Sequence, residues 1–255
     1  ELPFPEGTEE ELAKKEKRLE KLAAKQLTAQ QKTIIDALKS RHGLKAVAED
    51  NEADNVIDWE QSTKELAKQF EPMLLETGLY GAQQAAQALE GIAFTVDLSL
   101  VNEPVLAWTK QYSYDLVKGL NETTRNTLRQ ALVDWQEGNL GDRGFADLVK
   151  ALEPTFGYER AQVIAQTETT RVFAQGNYLA WKQSGIVAEE RWLTARDELV
   201  CPICRGLNDQ VVALEEEFVV TYQTGKTERS TKMTVRIPRP PAHVRCRCRT
   251  AAIVR

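Results

Sequence analysis

The residues best suited to chemistry in this sequence are its cysteines, all four of which lie in the last 55 residues. Cys201 and Cys204 form a C-x2-C pair, and after 38 intervening residues the chain reads His243-Val244-Arg245-Cys246-Arg247-Cys248. Two short ligand-bearing turns that are far apart in the sequence and joined by strands are typical of a zinc-ribbon-like site. The spacing suits a metal because a C-x2-C turn brings two sulfurs within reach of one ion. The pattern therefore predicts a Zn²⁺ site.

A structural Zn²⁺ takes four ligands, and this segment offers five. Cys201, Cys204 and Cys246 are the first choice, and His243 and Cys248 compete for the fourth position. The alternatives are disulfides, for which four cysteines permit three pairings, and plain buried thiols. No signal-peptide pattern opens the sequence, so we expect a reducing compartment, in which disulfides are uncommon. Neither H-x-E nor H-E-x-x-H occurs, so any metal is expected to be structural rather than catalytic.

Other combinations of residues that support catalysis are few. Of the two histidines one belongs to the cysteine-rich segment, and the other, His42, lies in a predicted helical stretch. No G-x-S-x-G, P-loop or G-x-G-x-x-G pattern is present. Glu168 and Arg171 are three residues apart on a predicted helix, where an ion pair is the expected role. Trp192 and Asp197 flank the first cysteine pair and are expected to be a core residue and a turn or cap residue. We therefore predict no catalytic residues and no enzymatic activity.

The charge of the chain is unevenly distributed. Residues 1–190 carry 21 basic and 31 acidic side chains, whereas residues 191–255 carry 12 basic and 7 acidic ones. A basic end on an acidic protein suggests an anionic partner, either nucleic acid or an acidic surface of another subunit. Alternatively, some of these arginines brace the cysteine loops or pair with Glu215-Glu216-Glu217. The predicted anion contacts are Arg236, Arg239, Arg245, Arg247 and Arg249, with Arg255 beside them.

The first half of the sequence predicts helices. A capping box at Thr8 opens a long charged helix to about Ser40, with an apolar stripe that calls for a partner or a neighbouring helix. Further helices are predicted over 59–76, 81–91, 104–120, 121–137 and 145–152, the last ending before Pro154. The segment from Phe94 to Val101 fits either a strand or a loop. The most regular helix runs from Tyr158 to Ser184 and stops at a C′ glycine, Gly185.

After Gly185 the pattern changes to alternation. Strands are predicted over 190–195, 210–214, 218–224 and 232–237, the last two as a hairpin with a turn at 223–226. With 42% hydrophobic and 28% charged residues the composition is globular, and no apolar run is long enough to span a membrane. We therefore predict an α+β protein, a mainly helical body with a small C-terminal β-containing unit stapled by cysteines. The predicted division is a helical, partner-binding region at 1–114, a second helical part at 115–188 and the small unit at 189–255.

Several of these residues also carry a family resemblance. The segments that carry it are Ile164-Ala165-Gln166-Thr167-Glu168, Arg171, Asn177, Trp192-Leu193-Thr194, Asp197, Cys201-Pro202-Ile203-Cys204, Pro240-Pro241-Ala242-His243 and Cys246-Arg247-Cys248. In this order they resemble the phage minor head protein family, the head morphogenesis family that includes the Mu F-like and SPP1 gp7-like proteins. The resemblance covers roughly residues 115–250. This chain has Val244 and Arg245 where the family usually reads Pro-Asn, and Gln166 where the family has Arg.

The resemblance implies a non-enzymatic virion protein. Members of this family associate with the portal, enter the procapsid in few copies, and assist head assembly, genome packaging or ejection. The implied location is the head interior or the portal vertex, after assembly in the host cytoplasm. The implied partners are the portal protein, the major capsid or scaffold protein, and packaged DNA. The competing interpretations are a nuclease- or transferase-like enzyme and a nucleic-acid-binding module.

Overall fold

The structure, a computed structural model, describes residues 2–41, 52–140, 144–194, 200–224 and 231–254. Most of these residues are helical, and the strands among them lie in the C-terminal part of the chain. The helices are α1 (Thr8–Arg41), α2 (Glu52–Asn55), α3 (Trp59–Glu90), α4 (Leu98–Glu137), α5 (Phe145–Phe156), α6 (Tyr158–Ser184) and α7 (Pro202–Leu207). The strands are β1 (Val187–Leu193), β2 (Val211–Ala213), β3 (Phe218–Thr224), β4 (Thr231–Ile237) and β5 (Arg249–Val254).

The chain forms two compact units, each assembled from segments that are distant in the sequence. Unit 1 comprises Glu1–Lys17, Met73–Thr109 and Gln166–Arg255. Unit 2 comprises Arg18–Pro72 and Lys110–Ala165. The division predicted at residues 114 and 188 remains a prediction.

Unit 1 contains all the strands. Strand β1 lies between β2 and β5 in an antiparallel sheet, in which Glu190 pairs with Val212 on one side and Ala252 on the other. Strands β3 and β4 form a separate antiparallel hairpin, with Phe218 opposite Ile237. The buried part of the hairpin packs on an apolar cluster centred on Trp192, whose ring meets that of Phe218 edge-on at 5.0 Å between centroids. This cluster includes three of the four cysteines, so the predicted metal ligands lie in a core.

Where the structure describes it, unit 2 consists of helices and their connections, and it is held partly by buried polar side chains. The Asn121 amide on α4 donates to Thr63 Oγ1 on α3 at 2.9 Å and accepts from Gln30 Nε2 on α1 at 2.6 Å. The Arg160 guanidinium donates to the Leu120 and Thr155 carbonyl oxygens at 3.0 and 2.7 Å. These bonds satisfy polar groups that would otherwise be buried without partners. They also show that α1 lies along neighbouring helices of its own chain.

The predicted α+β class is confirmed, and α1, α6 and the β3–β4 hairpin form where the sequence predicted them. The helices predicted over 59–76 and 81–91 are wrong, because one continuous helix, α3, spans both segments. Gly81 does not break α3 but allows close packing, since a Cβ there would lie 2.4 Å from the Phe173 carbonyl oxygen. The break predicted at 120–121 is also wrong, because α4 runs through it. Asn121 binds neighbouring helices and does not cap a new one.

Three smaller expectations also change. Helix α5 continues through Pro154, because Thr155 and Phe156 are buried and hold the last turn in place. Helix α4 begins at Leu98, within the segment from Phe94 to Val101 that fitted either a strand or a loop. At its start, Asp97 Oδ1 accepts a hydrogen bond from the backbone N–H of Ser99 at 2.9 Å. Residues 249–254 form strand β5, for which the sequence analysis predicted no strand. The arginines at and before its start had indicated only an anion-binding segment. The second half of the hairpin turn predicted at 223–226 lies outside the described residues, and so do His42, Asp197 and Arg255.

Helices α3 and α6 approach each other closely within unit 1, because their contact surface is made of glycine. A Cβ built on Gly176 would lie 2.0 Å from the Gly78 carbonyl oxygen, a distance that no real contact allows. Large side chains then surround this contact, with Phe173 and Trp181 buried beside it. No helix in the described part of the chain is both long and apolar enough to cross a membrane.

We expect Gly176→Ala to lower the free energy of unfolding by about 2 kcal/mol or more, because α6 must move away from α3 to admit the methyl group. Gly119→Ala is the matched control, since a Cβ at this α4 glycine meets nothing within 4 Å. The control should be neutral or stabilising by about 0.5–1 kcal/mol, because alanine favours the helix. Urea unfolding followed by circular dichroism measures both. Equal effects of the two substitutions would contradict the close contact.

Candidate metal centre

The first cysteine pair lies at the start of a short helix. Cys201 is the N-cap of α7 and Pro202 takes the first helical position, where a missing N–H costs nothing. The Cys201 sulfur accepts the backbone N–H of Cys204 at 3.4 Å. This turn places both sulfurs on the same side of the chain. The C-x2-C pattern was predicted to be a turn, and the helix that follows it was missed.

The second group of ligands lies in the loop between β4 and β5. Its backbone doubles back, since the Cys246 N–H donates to the His243 carbonyl oxygen at 3.2 Å and Arg245 has a φ of 59°. A positive φ at a residue other than glycine is strained and persists only where the surroundings hold it. The loop therefore presents His243, Cys246 and Cys248 in one particular arrangement.

The structure brings all five predicted ligands together. The Nε2 atom of His243 is 3.0 Å from the sulfurs of both Cys201 and Cys204. The Cys204 and Cys246 sulfurs are 3.8 Å apart, and a tetrahedral Zn²⁺ with bonds of about 2.3 Å separates two sulfurs by roughly that distance. Two groups have all their ligand atoms within 4.8 Å of one another, and Cys204 belongs to both. They are Cys201, Cys204 and His243, and Cys204, Cys246 and Cys248.

The protonation of His243 suits a metal ligand. Its Nδ1 atom is 2.7 Å from the Val244 carbonyl oxygen, which only accepts hydrogen bonds, so Nδ1 carries the proton in this contact. In a neutral ring of this tautomer, Nε2 would present its lone pair towards Cys201 and Cys204. A carbonyl that fixes the orientation and tautomer of the ring is the usual second partner of a metal-bound histidine.

The thiols are free and share their protons unequally. None of the four cysteines, all of which lie among the described residues, forms a disulfide. Hydrogen bonds with Cys204 and Cys248 lower the pKa of the Cys246 thiol, and the hydrogen bond with Cys246 raises the pKa of Cys204. The cluster therefore favours one thiolate in a buried place. A buried negative charge is costly unless a cation neutralises it.

This donor set fits a soft or borderline divalent metal. Sulfur and imidazole ligands select such ions, and in the two groups of described residues the donors are cysteine and histidine, without a carboxylate. Cys204, Cys246 and Cys248 are buried, whereas Cys201 and His243 are partly exposed. The Cys/His cluster can thus hold a metal ion.

Helix α6 also holds the ligand loop, and sequence reasoning missed this. The Thr167 hydroxyl oxygen accepts the backbone N–H of Arg245 at 3.0 Å. The Thr170 hydroxyl donates to the Cys246 carbonyl oxygen at 2.9 Å. Both bonds reach the part of the loop that has the strained φ, so they stabilise the arrangement that presents the ligands. The spacing of three residues places both threonines on one side of α6 and was the available signal.

The five predicted anion contacts fall into two groups. Arg236, Arg245 and Arg247 are exposed. Arg239 instead stacks on the Tyr178 ring, with its guanidinium carbon 3.7 Å from the ring centroid. Arg249 pairs with Glu9 at 2.5 Å. The last two side chains are therefore engaged in contacts within unit 1.

Arg239 also faces a buried acid. Glu190 on β1 is fully buried, and burial raises the pKa of its carboxyl group to about 7, against the opposing effect of the positive charge on Arg239. Burial destabilises the ionised form of a carboxylate, and the positive charge of a nearby guanidinium group stabilises that form. The position of Arg239 thus serves the core of unit 1.

The remaining residues singled out in the sequence have structural positions. Glu168 and Arg171 form the expected ion pair at 3.2 Å, and Glu168 is buried. Trp192 is a fully buried core residue. The acidic cluster contributes an ion pair between Glu215 and Lys182 on α6. These positions leave the Cys/His cluster as the principal group of functional side chains predicted from the sequence.

Comparison with known proteins places the chain in a family. The family model described as Phage Mu protein F like protein matches residues 123–251, a span that contains α6 and the whole Cys/His cluster. The chain therefore belongs to the Phage Mu F-like family of head morphogenesis proteins, and it is a phage head-associated protein. Neither the curated proteins nor the solved structures contain a match.

Thr167→Val and Thr170→Val should each weaken metal binding by about tenfold or more, because removing a partner that orients a ligand has effects of that size. Thr169→Val is the matched control, since Thr169 is also buried on α6 and its hydroxyl has no partner among the described residues. Titration with Co²⁺, followed by its visible absorption, measures the affinity and reports the ligand field. Equal affinities in all three variants would contradict a role for α6 in holding the loop.

Proposed function

We propose that this protein is a minor head protein that binds the portal and assists head morphogenesis, genome packaging or ejection without enzymatic activity. The observation that carries the proposal is the family match over residues 123–251, which encloses the Cys/His cluster. The proposed location of the protein is the virion, in the head interior or at the portal vertex. The major capsid or scaffold protein is a further proposed partner.

The surfaces of the N-terminal region support partner binding through charge. The apolar stripe of α1, from Leu12 to Leu38, is buried by other parts of the chain. What α1 presents outwards is therefore its polar face, which is rich in lysine and glutamate. A portal surface that meets residues 1–114 would recognise charged side chains rather than an apolar seam.

The proposed metal is Zn²⁺ in a structural role. Cys201, Cys204 and Cys246 would be three of the ligands, with His243 or Cys248 as the fourth. The geometry of the first two cysteines favours His243, because its Nε2 atom is 3.0 Å from both sulfurs. The burial of Cys248 beside Cys204 and Cys246 favours the other choice. Bound in either way, the ion would link α7 to the loop that precedes β5.

Removal of zinc is expected to open the C-terminal region first, because binding energy at such a site is folding energy. In hydrogen exchange read by mass spectrometry, a chelator should remove protection from 200–224 and 231–254 before it affects α3 and α4. Cys204→Ser should abolish stoichiometric zinc, and a comparison of His243→Ala with Cys248→Ser identifies the fourth ligand. Purified protein without zinc, or unchanged exchange after chelation, would contradict the proposal.

The exposed arginines support contact with an anion, either packaged DNA or an acidic subunit surface. Arg236, Arg245 and Arg247 present guanidinium groups at the surface, and this group binds phosphate or carboxylate with two parallel hydrogen bonds. We propose these three as the contacting residues, and give Arg239 and Arg249 a bracing role. Contact with DNA would be independent of sequence and would weaken steeply with salt.

Portal binding is tested with the full chain and the portal protein encoded by the same phage. We expect the two to elute together in size-exclusion chromatography, and we expect no cleavage of DNA by the chain alone. Separate elution at micromolar concentrations would contradict portal binding. DNA cleavage that Glu168→Ala or His243→Ala abolishes would instead favour the nuclease interpretation.

A further inference from the structure

We propose that a cavity within unit 1 binds an extended peptide segment of a partner protein, with an apolar side chain flanked by basic ones. The cavity has a volume of about 1040 Å³. Its walls are the N-terminal segment from Pro3 to Glu16, one face of α6, and the start of β5. The volume is at the upper end of the range for small-molecule sites, which favours a ligand larger than an ordinary metabolite.

Buried polar groups without partners line this cavity. Asn177 is 1% exposed, and neither its amide nitrogen nor its amide oxygen has a hydrogen-bond partner in the described part of the chain. The hydroxyl of Thr169, which is 4% exposed, and Nη1 of Arg249 are in the same situation. Such groups are almost always paired in folded proteins, so three of them around one cavity point to a ligand that supplies the missing partners.

The spacing of these groups suits an elongated ligand. Thr169, Phe173 and Asn177 are four residues apart on α6 and therefore lie on one face of the helix. At about 1.5 Å per residue the two polar ends of this row are roughly 12 Å apart along the helix. An extended chain covers that distance with about four residues at roughly 3.3 Å each. Phe173 lies between the two polar positions.

The chemistry of the walls suits a peptide. The Asn177 amide both donates and accepts, which matches the N–H and C=O of a peptide group. Phe173 and Phe4, whose ring centroids are 5.4 Å apart, together with Leu12 offer apolar surface for one side chain. The N–H groups of Arg249 provide a further donor for a main-chain carbonyl oxygen.

The charges around the cavity favour basic flanking residues. The lining includes four carboxylates, from Glu6, Glu9, Glu16 and Asp209, and two guanidinium groups, from Arg247 and Arg249. Arg249 is already paired with Glu9. The excess of negative charge favours lysine or arginine in the bound segment and disfavours nucleic acid.

Cys248 is part of the cavity wall, but the inference rests on Asn177, Thr169 and Arg249 and uses neither metal binding nor the family match, so it can fail without the portal and zinc proposals. The test uses the full, metal-loaded chain and a random library of hexapeptides with acetylated and amidated ends. Peptides are selected on the chain and counter-selected on Asn177→Leu, which keeps the size of the side chain but removes its amide. We expect the enriched peptides to share an apolar residue between lysines or arginines.

Binding of the enriched peptides is then measured by calorimetry. Asn177→Leu should bind them at least tenfold more weakly than the parent chain, whereas Asn102→Leu, the same change at an exposed position on α4, should bind them equally. A library without enrichment over the counter-selection, or peptides that bind Asn177→Leu equally well, would overturn the proposal. Selection of acidic peptides would overturn its charge specificity.

Thermal unfolding of the free proteins provides a second, independent readout. If the Asn177 amide is held for a ligand, its loss relieves an unpaired buried group, and the unfolding midpoint of Asn177→Leu equals or exceeds that of the parent chain. A clearly lower midpoint would show that protein or ordered water already satisfies the amide. That result would overturn the peptide site, and it would leave the zinc and portal proposals untouched.

Discussion

Unit 1 depends on the contact between the backbones of α3 and α6. Because Gly81 and Gly176 have no side chains, backbone carbonyl oxygens of α6 and α3 occupy the places where their methyl groups would otherwise lie. The remaining faces of α6 are then available for other tasks. Thr167 and Thr170 bind the ligand loop, and Thr170, Phe173 and Asn177 line the cavity. A shift of α6 that relieved a steric clash with α3 would move both functional regions at once.

The ligand loop is restrained from two directions, and the two restraints differ in kind. Hydrogen bonds from α6 fix its backbone at Arg245 and Cys246, close to the strained φ. On the other side, the His243 imidazole and the Cys246 sulfur lie close to the sulfurs of the first cysteine pair at the start of α7. This contact lies in the apolar cluster that contains Trp192. A cluster of eight buried residues is a small core, and small cores commonly need a metal or a disulfide to reach useful stability. A metal bound at the Cys/His cluster would therefore stabilise this small core.

Local signals explain which parts of the fold the sequence predicted. Helix α6 has a regular spacing of three and four and ends at Gly185, which has the expected positive φ of 68°. The hairpin segments are rich in β-branched and aromatic residues and flank a turn, and the convergence of Cys201 and Cys204 with the His243 loop followed from ligand spacing. The division of α3 at Gly81 was wrong, because the sequence does not distinguish a glycine that permits a close helix contact from one at a helix boundary. Strand β5 was not predicted, because its apolar run from Ala251 to Val254 is short and directly follows the arginine-rich segment.

The hydroxyls of Thr167 and Thr170 show a second limit of the same kind. Their partners lie 78 and 76 residues further along the chain, so no pattern in the neighbourhood of α6 identifies them.

The arginines show why composition does not determine a surface. Five of them are crowded into one segment, yet the fold turns Arg239 onto Tyr178 and Arg249 onto Glu9. A count of charges predicts attraction to an anion, but only the packing decides which guanidinium groups an anion can reach. Arg245 and Arg247 are exposed residues of the ligand loop, so an anion that contacted them would lie close to the candidate metal centre. The proposed contact would for that reason be physically coupled to the integrity of the Cys/His cluster, since the loop that carries Arg245 and Arg247 is the loop that carries His243 and Cys246.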